Sequence, residues 1–286
     1  LSGNGGGELA ESTYIGAGSY EWAALSAGAG LTAAEMVLAG QAGSALVITR
    51  PPGHHAGRNS GAGFCVFNNV ALLAEECRRR GLGRVLIIDW DLHHGDGTQE
   101  IFYHDPNVLF CSLHQFGPEL YPEKGDFHET GAGAGQGYTV NLPLPAKTGA
   151  ADYLRLFEQV VPALAESFRP DIILVSAGYD AHFNDTQNPY VWDPAGGLSL
   201  SAQDYASMTQ LVADLAARYC QGRYIVVLEG GYNLYCLPSG VVNTAAAMLG
   251  LSPLIVETIP AGVPVASLEV EAYLRKLREY HPRFGF

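Results

Sequence analysis

Arg84-Val85-Leu86-Ile87-Ile88-Asp89-Trp90-Asp91-Leu92-His93-His94-Gly95-Asp96-Gly97 is an apolar run that ends abruptly in carboxylates and imidazoles. Apolar residues without alternation mark a strand covered on both faces, as in a parallel sheet. Open α/β sheets bind ligands beyond the carboxyl ends of their strands, so the polar residues after this run stand where chemistry collects. The pattern recurs. Ala45 to Thr49 leads into Arg50-Pro51-Pro52-Gly53-His54-His55-Ala56, Ile172 to Ser176 into Ala177-Gly178-Tyr179-Asp180-Ala181-His182, and Tyr224 to Leu228 into Glu229-Gly230-Gly231-Tyr232-Asn233. Val108 to Leu113 and Tyr138 to Leu142 read as two further strands. Between the runs, Thr32 to Ala39, Asn68 to Arg80, Ala150 to Phe168, Ser201 to Tyr219 and Val241 to Leu249 space apolar residues by three and four, and Leu268 to Tyr280 is a charged amphipathic ending. Strands alternating with helices predict a single α/β domain with a central, mostly parallel sheet flanked by helices. Gly131, Gly133, Gly135 and Gly137 precede a strand rather than a helix, so they do not form a dinucleotide-binding fingerprint.

Asp91 and His93 are two apart, so in an extended strand end both side chains face the same way and can share one cation, with Asp180 as the candidate third ligand. Three ligands of this kind leave positions open for water and a substrate oxygen, the design of a catalytic metal site. His54 and His55 follow two prolines that stiffen the backbone, which suits proton transfer, and Asp89 and Asp96 are carboxylates near enough in sequence to the ligands to orient imidazoles. Tyr232, after two glycines, can place a phenol against a polarised carbonyl. Taken singly, each of these residues reads as a helix cap, turn or satisfied polar cluster; their joint occurrence at several strand ends reverses that weighting.

Composition narrows the substrate. With 16 Lys+Arg against 29 Asp+Glu the formal charge is −13, a field that repels phosphates and attracts cationic amines, and Arg78-Arg79-Arg80 is the only dense basic run. Nucleic acid is therefore not an expected partner. The five cysteines, Cys65, Cys77, Cys111, Cys220 and Cys236, form no Cys-x-x-Cys pair and read as reduced core residues. No apolar stretch approaches the ~18 residues of a membrane span, and the N-terminus shows no signal pattern. No membrane partner and a cytoplasmic location are the expectations. The start at Leu1, running into Gly3-Asn4-Gly5-Gly6-Gly7, looks like the inside of a longer or processed polypeptide.

Gly63-Phe64-Cys65-Val66-Phe67-Asn68-Asn69 and Ser112-Leu113-His114 complete a series with Arg50 to Ala56, Asp89 to Gln99, Gly178 to His182 and Leu228 to Asn233. In this order the motifs resemble the zinc-dependent histone deacetylase superfamily, including bacterial deacetylase-like amidohydrolases and acetylpolyamine amidohydrolases. The likeness covers Gly28 to about Leu249 and leans to class II. It implies a three-layer arginase/deacetylase-like fold and removal of acetyl or related acyl groups from acetyl-lysine or acetylated polyamines. It implies Zn²⁺ held by Asp91, His93 and Asp180, with His54 paired to Asp89 and His55 to Asp96. His55 is then the principal general base and acid, His54 its electrostatic neighbour, and Tyr232 the donor to the carbonyl oxygen. It further implies a structural K⁺ near Asp89, Asp91, His93, Ser112 and Leu113. Phe64 and Tyr121 would wall a narrow acyl channel that Gly63 keeps slim, with Ala195 and Gly230 as further channel positions. Dimers or tetramers are plausible by the same resemblance.

Three departures carry expectations. The family's first strand and its following loop should precede Leu1. Asp96 stands where class II members often carry Asn, which should make the paired imidazole more basic. An insertion from Phe183 to Trp192 and the small Ala195 should give a wider channel entrance with an extra rim loop. Two rivals remain at this stage. A manganese ureohydrolase of the same fold needs more bridging carboxylates and leaves His54, His55 and Tyr232 without a role, and a catalytically dead acyl-lysine binder has no need of the complete residue set kept here.

Overall fold

The computed structural model describes residues 5–10, 12–118, 120–185, 197–263 and 265–286. A hairpin of β1 (Gly7–Ala10) and β2 (Thr13–Ile15) comes first, followed by α1 (Ser19–Leu38), β3 (Ser44–Val47), α2 (Asn69–Arg79), β4 (Val85–Asp89), α3 (Asp96–Phe102), β5 (Val108–Gln115) and β6 (Thr139–Leu144). Then come α4 (Ala150–Phe168), β7 (Ile172–Ala177), α5 (Ala202–Tyr219), β8 (Tyr224–Leu228), α6 (Cys236–Met248) and α7 (Val270–Tyr280). Strands β3 to β8 form a parallel sheet in the order β3-β8-β7-β4-β5-β6.

The continuous apolar runs divide by alternation. Leu86, Ile88, Leu109, Cys111, Ile173, Val175, Val226 and Leu228 enter a core with α4, α5 and α7. Val85, Ile87, Val108, Phe110, Ile172, Leu174, Ile225 and Val227 face the other way, onto α1 and α2. Both faces are thus covered, which is why these strands carry no polar alternation. All five cysteines are free and buried, and among the described residues no helix is long and apolar enough to cross a membrane.

The chain runs outward through β4, β5 and β6 in one direction and through β7 and β8 in the other, so the order reverses between β4 and β7. A crevice opens beyond the carboxyl ends of strands at such a reversal.

Several expected boundaries shift. Helix α1 begins at Ser19, thirteen residues before the expected Thr32, because its buried face is made of Ala23, Ser26, Ala27 and Gly30, small residues with a weak periodic signal that pack close to α2. Helix α6 likewise starts at Cys236 rather than Val241. The β1–β2 hairpin and the short α3 had no counterpart in the sequence reading. Helix α5 starts where expected, at a capping box between Ser201 and Asp204, and α2 at Asn68, whose side chain accepts the Ala71 N–H at 2.9 Å.

Candidate active site

Beyond β4 the chain does not continue as an extended strand. Asp91, Leu92 and His93 lie in bends past the strand's end at Asp89. The Asp91 carboxylate accepts the His93 N–H at 2.9 Å, a side-chain turn of the Asx type. The expectation that an extended backbone brings the pair together is corrected here: convergence comes from a turn, which Asp91 itself stabilises. Main-chain bonds from both sides hold it, Trp90 N to Ser176 O at 3.1 Å and Gln115 N to Leu92 O at 2.8 Å.

Asp180 arrives from the end of β7, and its Oδ1 accepts the Leu92 N–H at 2.9 Å. His93 Nδ1 then lies 3.3 Å from Asp180 Oδ2 and 3.4 Å from Asp91 Oδ1. One donor atom from each of Asp91, His93 and Asp180 lies within 4.8 Å of the others, and both carboxylates are buried. Burial and the neighbouring Asp91 charge push the Asp180 carboxyl up to about 6, while His93 is raised, against burial, to about 10 by Asp180 and Asp91. A Cβ on Gly230 would run into the carboxylates of both Asp180 and Asp91, and one on Gly178 into Asp91. The donor set, the two buried carboxylates and the glycine-lined space fit a divalent cation with nitrogen and oxygen ligands.

His54 and His55 stand at the end of the segment after β3, their rings 4.0 Å apart. His54 Nδ1 is 3.0 Å from Asp89 Oδ2, and its Nε2 is 3.8 Å from Asp91 Oδ1. Burial opposes the imidazolium, but the charges of Asp91 and Asp89 outweigh it and hold His54 well above its usual value. His55 Nδ1 is 2.9 Å from Asp96 Oδ1. Here burial and the adjacent His54 charge prevail, and His55 is lowered to about 4 although Asp96 pulls the other way. The expectation that Asp96 makes the paired imidazole more basic than an Asn would agrees with the sign of the Asp96 contribution, although burial and His54 set the net value.

Tyr232 sits on the turn after β8. The β7–β8 pairing continues past both strands through Glu229 N to Ala177 O and Tyr179 N to Gly230 O, each 3.0 Å, which sets the turn beside Asp180. Burial and the nearby carboxylates of Asp180 and Asp91 push the phenol well above its ordinary value, so it is a hydrogen-bond donor at neutral pH. Phe64 packs edge-on to Tyr232 at 5.9 Å and is 49% exposed, and the half-buried Tyr121 packs edge-on to His55 at 4.9 Å. A Cβ on Gly63 would strike the His55 ring, so this glycine gives room to the imidazole. Ala195 and the expected insertion beyond Asp185, with the wider entrance built on them, lie outside the described residues. A separate cavity of about 1030 Å³, lined by Leu9, Tyr20, Arg58, Phe67 and Leu72 among others, contains none of these groups.

Four supporting residues escaped the sequence reading. Glu229 is fully buried and accepts from Gly53 N at 2.6 Å, His54 N at 3.1 Å and Ser176 Oγ at 3.1 Å, locking the histidine segment to the sheet. Arg50 Nη2 donates to Gly231 O at 2.6 Å. Asp185 Oδ2 accepts the N–H groups of Tyr232 and Asn233, both at 2.9 Å. Lys124 Nζ lies 3.1 Å from Asp96 Oδ2. A carboxylate directly after a strand's apolar run, as at Glu229, was the one available signal.

A histone deacetylase domain model matches residues 2–248. The chain belongs to the histone deacetylase family. It is 43% identical over 246 residues to a probable deacetylase of Archaeoglobus fulgidus, covering 86% of this chain and 66% of that one. A histone deacetylase-like amidohydrolase of Pseudomonas aeruginosa is 40% identical over 239 residues, covering 83% and 60%. The crystal structure of the HDA15 HD domain superposes with a TM-score of 0.82 at 34% identity, covering 99% of this chain and 72% of that one. This deacetylase-family chain spans between about a quarter and two thirds of the length of the curated relatives it matches.

Proposed function

We propose that the protein is a zinc-dependent amidohydrolase that cleaves the acetyl group from acetyl-lysine or an acetylated polyamine. The observation that carries this reading is the meeting of the Asp91, His93 and Asp180 donors within 4.8 Å at the reversal between β4 and β7, with His55 beside them. Zinc held by these three residues would supply Lewis acidity to the amide carbonyl and to an attacking water.

The chain's own groups supply the rest. His55, lowered to about 4, is unprotonated at neutral pH and can take the proton of the attacking water. His54, held cationic by Asp91 and Asp89, keeps positive charge next to the developing oxyanion. The Tyr232 phenol donates to the carbonyl oxygen as its charge grows. His55 then delivers its proton to the departing amine, leaving acetate and a free amine. Phe64 and Tyr121 hold the aliphatic part of the substrate. The chain's charge of −13 favours a cationic substrate body over a neutral one.

K⁺ is part of the same proposal. Asp89 is registered against Ser112 across β4 and β5, with Leu113 following, so buried oxygens gather at neighbouring strand ends. The Asp89 carboxylate is committed to His54 and to the Asp91 N–H and the Ser112 hydroxyl has His94 Nδ1 at 3.3 Å and His114 Nδ1 at 2.9 Å, so the ion would be held mainly by main-chain oxygens of this segment with a remaining lone pair of the Ser112 hydroxyl. A reducing compartment such as the cytoplasm suits five free, buried cysteines.

Acetate release from an acetyl-lysine peptide and from an acetylated polyamine, with zinc-loaded protein and with Tyr232→Phe, tests the reading. Turnover of either substrate that is lost in the variant is the expected result. No release from either substrate, with one zinc bound per chain, would overturn it and leave a non-catalytic binder. A two-metal ureohydrolase is disfavoured because one three-donor cluster, and no second, is found among the described residues.

A further inference from the structure

The Tyr232 turn has an anchor that lies after residue 248, where the matched domain model ends. After α6 the chain forms an irregular strap, and residues 254–257 of it are pinned from both sides. Asn243 on α6 accepts the N–H groups of Leu254 and Ile255 at 3.0 and 2.9 Å and donates to Ile255 O at 2.7 Å. Gln203 on α5 donates to Glu257 O at 2.8 Å and accepts the Glu257 N–H at 3.0 Å.

So held, Glu257 reaches inward. Its Oε2 accepts the Ala202 N–H at the start of α5 and lies 2.7 Å from His182 Nε2, on an imidazole only 1% exposed. Asn184 N donates to His182 Nδ1 at 3.2 Å, so Nδ1 is the acceptor, and Nε2 carries the proton that Glu257 receives. His182 O accepts the Asp185 N–H at 2.9 Å, closing a tight turn over residues 182–185. That turn grips the catalytic one: Asp185 Oδ2 accepts both Tyr232 N and Asn233 N, and Asn184 O accepts from Asn233 Nδ2 at 3.0 Å. The whole path consists of part-buried hydrogen bonds, and within it Asp185 is 1% exposed with its Oδ1 unpartnered. A buried carboxylate is costly unless its bonds do something.

We propose that Glu257 and Asp185 are positioning residues for Tyr232, acting through the 182–185 turn, so that the strap after residue 248, where the matched domain model ends, is a working part of the active site. The inference rests on the deacetylase reading for its kinetic consequence but not for its structural one. Misplacing a catalytic donor by an ångström can cost about 100-fold in rate, so a partial release predicts a fall of about tenfold in kcat for Glu257→Ala, with KM and zinc content little changed. In the Tyr232→Phe background the same substitution should cost nothing further, because the group it positions is gone. Glu257→Gln keeps an acceptor oxygen for His182 and should restore most of the rate.

The decisive structural readout is amide hydrogen exchange on the zinc-loaded chain. In Glu257→Ala the amides of Tyr232 and Asn233 should exchange faster while those of Leu92 and His93 stay protected. Asp185→Asn, which keeps an oxygen of weaker acceptor strength, should give the same pattern more mildly, and it serves if the alanine variant does not fold. Exchange that is unchanged at Tyr232 and Asn233, or raised equally at Leu92 and His93, overturns the proposal. So does an equal kinetic loss in the Tyr232→Phe background. Should the parent chain release no acetate at all, the functional reading fails and the exchange pattern alone decides the positioning role.

Discussion

Asp91, His93 and Asp180 hang from the middle of the sheet, whereas Tyr232 hangs from a turn. The segment after β4 is stitched to β7 on one side and β5 on the other, and each ligand carboxylate accepts a further main-chain N–H from this region or from Gly230. The Tyr232 turn has the end of the β7–β8 ladder behind it. Beyond Gly230 it depends on Arg50, Asp185 and Asn184. The bends that carry Asp91 and His93 are bonded on both sides to neighbouring strand ends and so are placed by the register of the whole sheet, while the Tyr232 turn is placed by a handful of side chains. The first arrangement suits groups that must share one ion within tenths of an ångström. The second suits a donor that has to meet a substrate oxygen.

Breaking the sheet-borne part should have the largest effect. Asp180→Ala removes one of the three proposed ligands and the acceptor of Leu92 N, so zinc per chain measured by atomic absorption should fall well below that of the parent. The rate of acetate release should drop by more than about 10³-fold, the size of several kcal/mol of lost Lewis-acid stabilisation. Tyr232→Phe breaks the turn-borne part alone. Loss of one preorganised donor lowers kcat by about 10²- to 10³-fold, and here zinc stoichiometry should remain at one. If the phenylalanine variant also lost its metal, the two regions would not be separable in the way the geometry implies.

The same contrast explains what could be read from sequence. Asp91, His93, Asp180, His54, His55 and Tyr232 each follow an apolar run, and strand-end placement is legible because parallel strands leave a one-dimensional signature. The supports are not legible in that way. Glu229 acts on Gly53 across 176 positions, Asp185 on Tyr232 across 47, and Glu257 on His182 across 75, so each is a carboxylate whose partner only folding reveals. Helix α1 was cut short for a different reason, since a face of Ala, Ser and Gly packs closely without a hydrophobic period to announce it.

Glu229 joins the two regions and tests a middle range. Glu229→Ala would leave two main-chain N–H groups and the Ser176 hydroxyl without their acceptor in a fully buried place. Uncompensated buried donors cost about 1–3 kcal/mol each, so a clear drop in unfolding midpoint is expected by calorimetry, together with weakened activity from a displaced His54-His55 segment. A variant as stable as the parent would show that water satisfies these donors and that the sheet does not need this carboxylate.

The smallest effects separate Asp96 from Lys124. Asp96 raises the proton affinity of His55 through a 2.9 Å hydrogen bond and its charge, against the stronger lowering by burial and His54. Removing the charge in Asp96→Asn lets that lowering act with less opposition. If His55 must be unprotonated to act, the acidic limb of kcat/KM then moves to lower pH. Lys124, 55% exposed, offsets part of the Asp96 charge from 3.1 Å away. Lys124→Ala frees that charge to act on His55, so the acidic limb should move the opposite way, to higher pH. The second shift should be the smaller, because an exposed ion pair is worth only a few tenths of a kcal/mol, about 0.2–1 by direct measurement, and it should fade as salt is raised. Parallel shifts in the two variants would mean that His55 is not the group whose protonation limits the reaction.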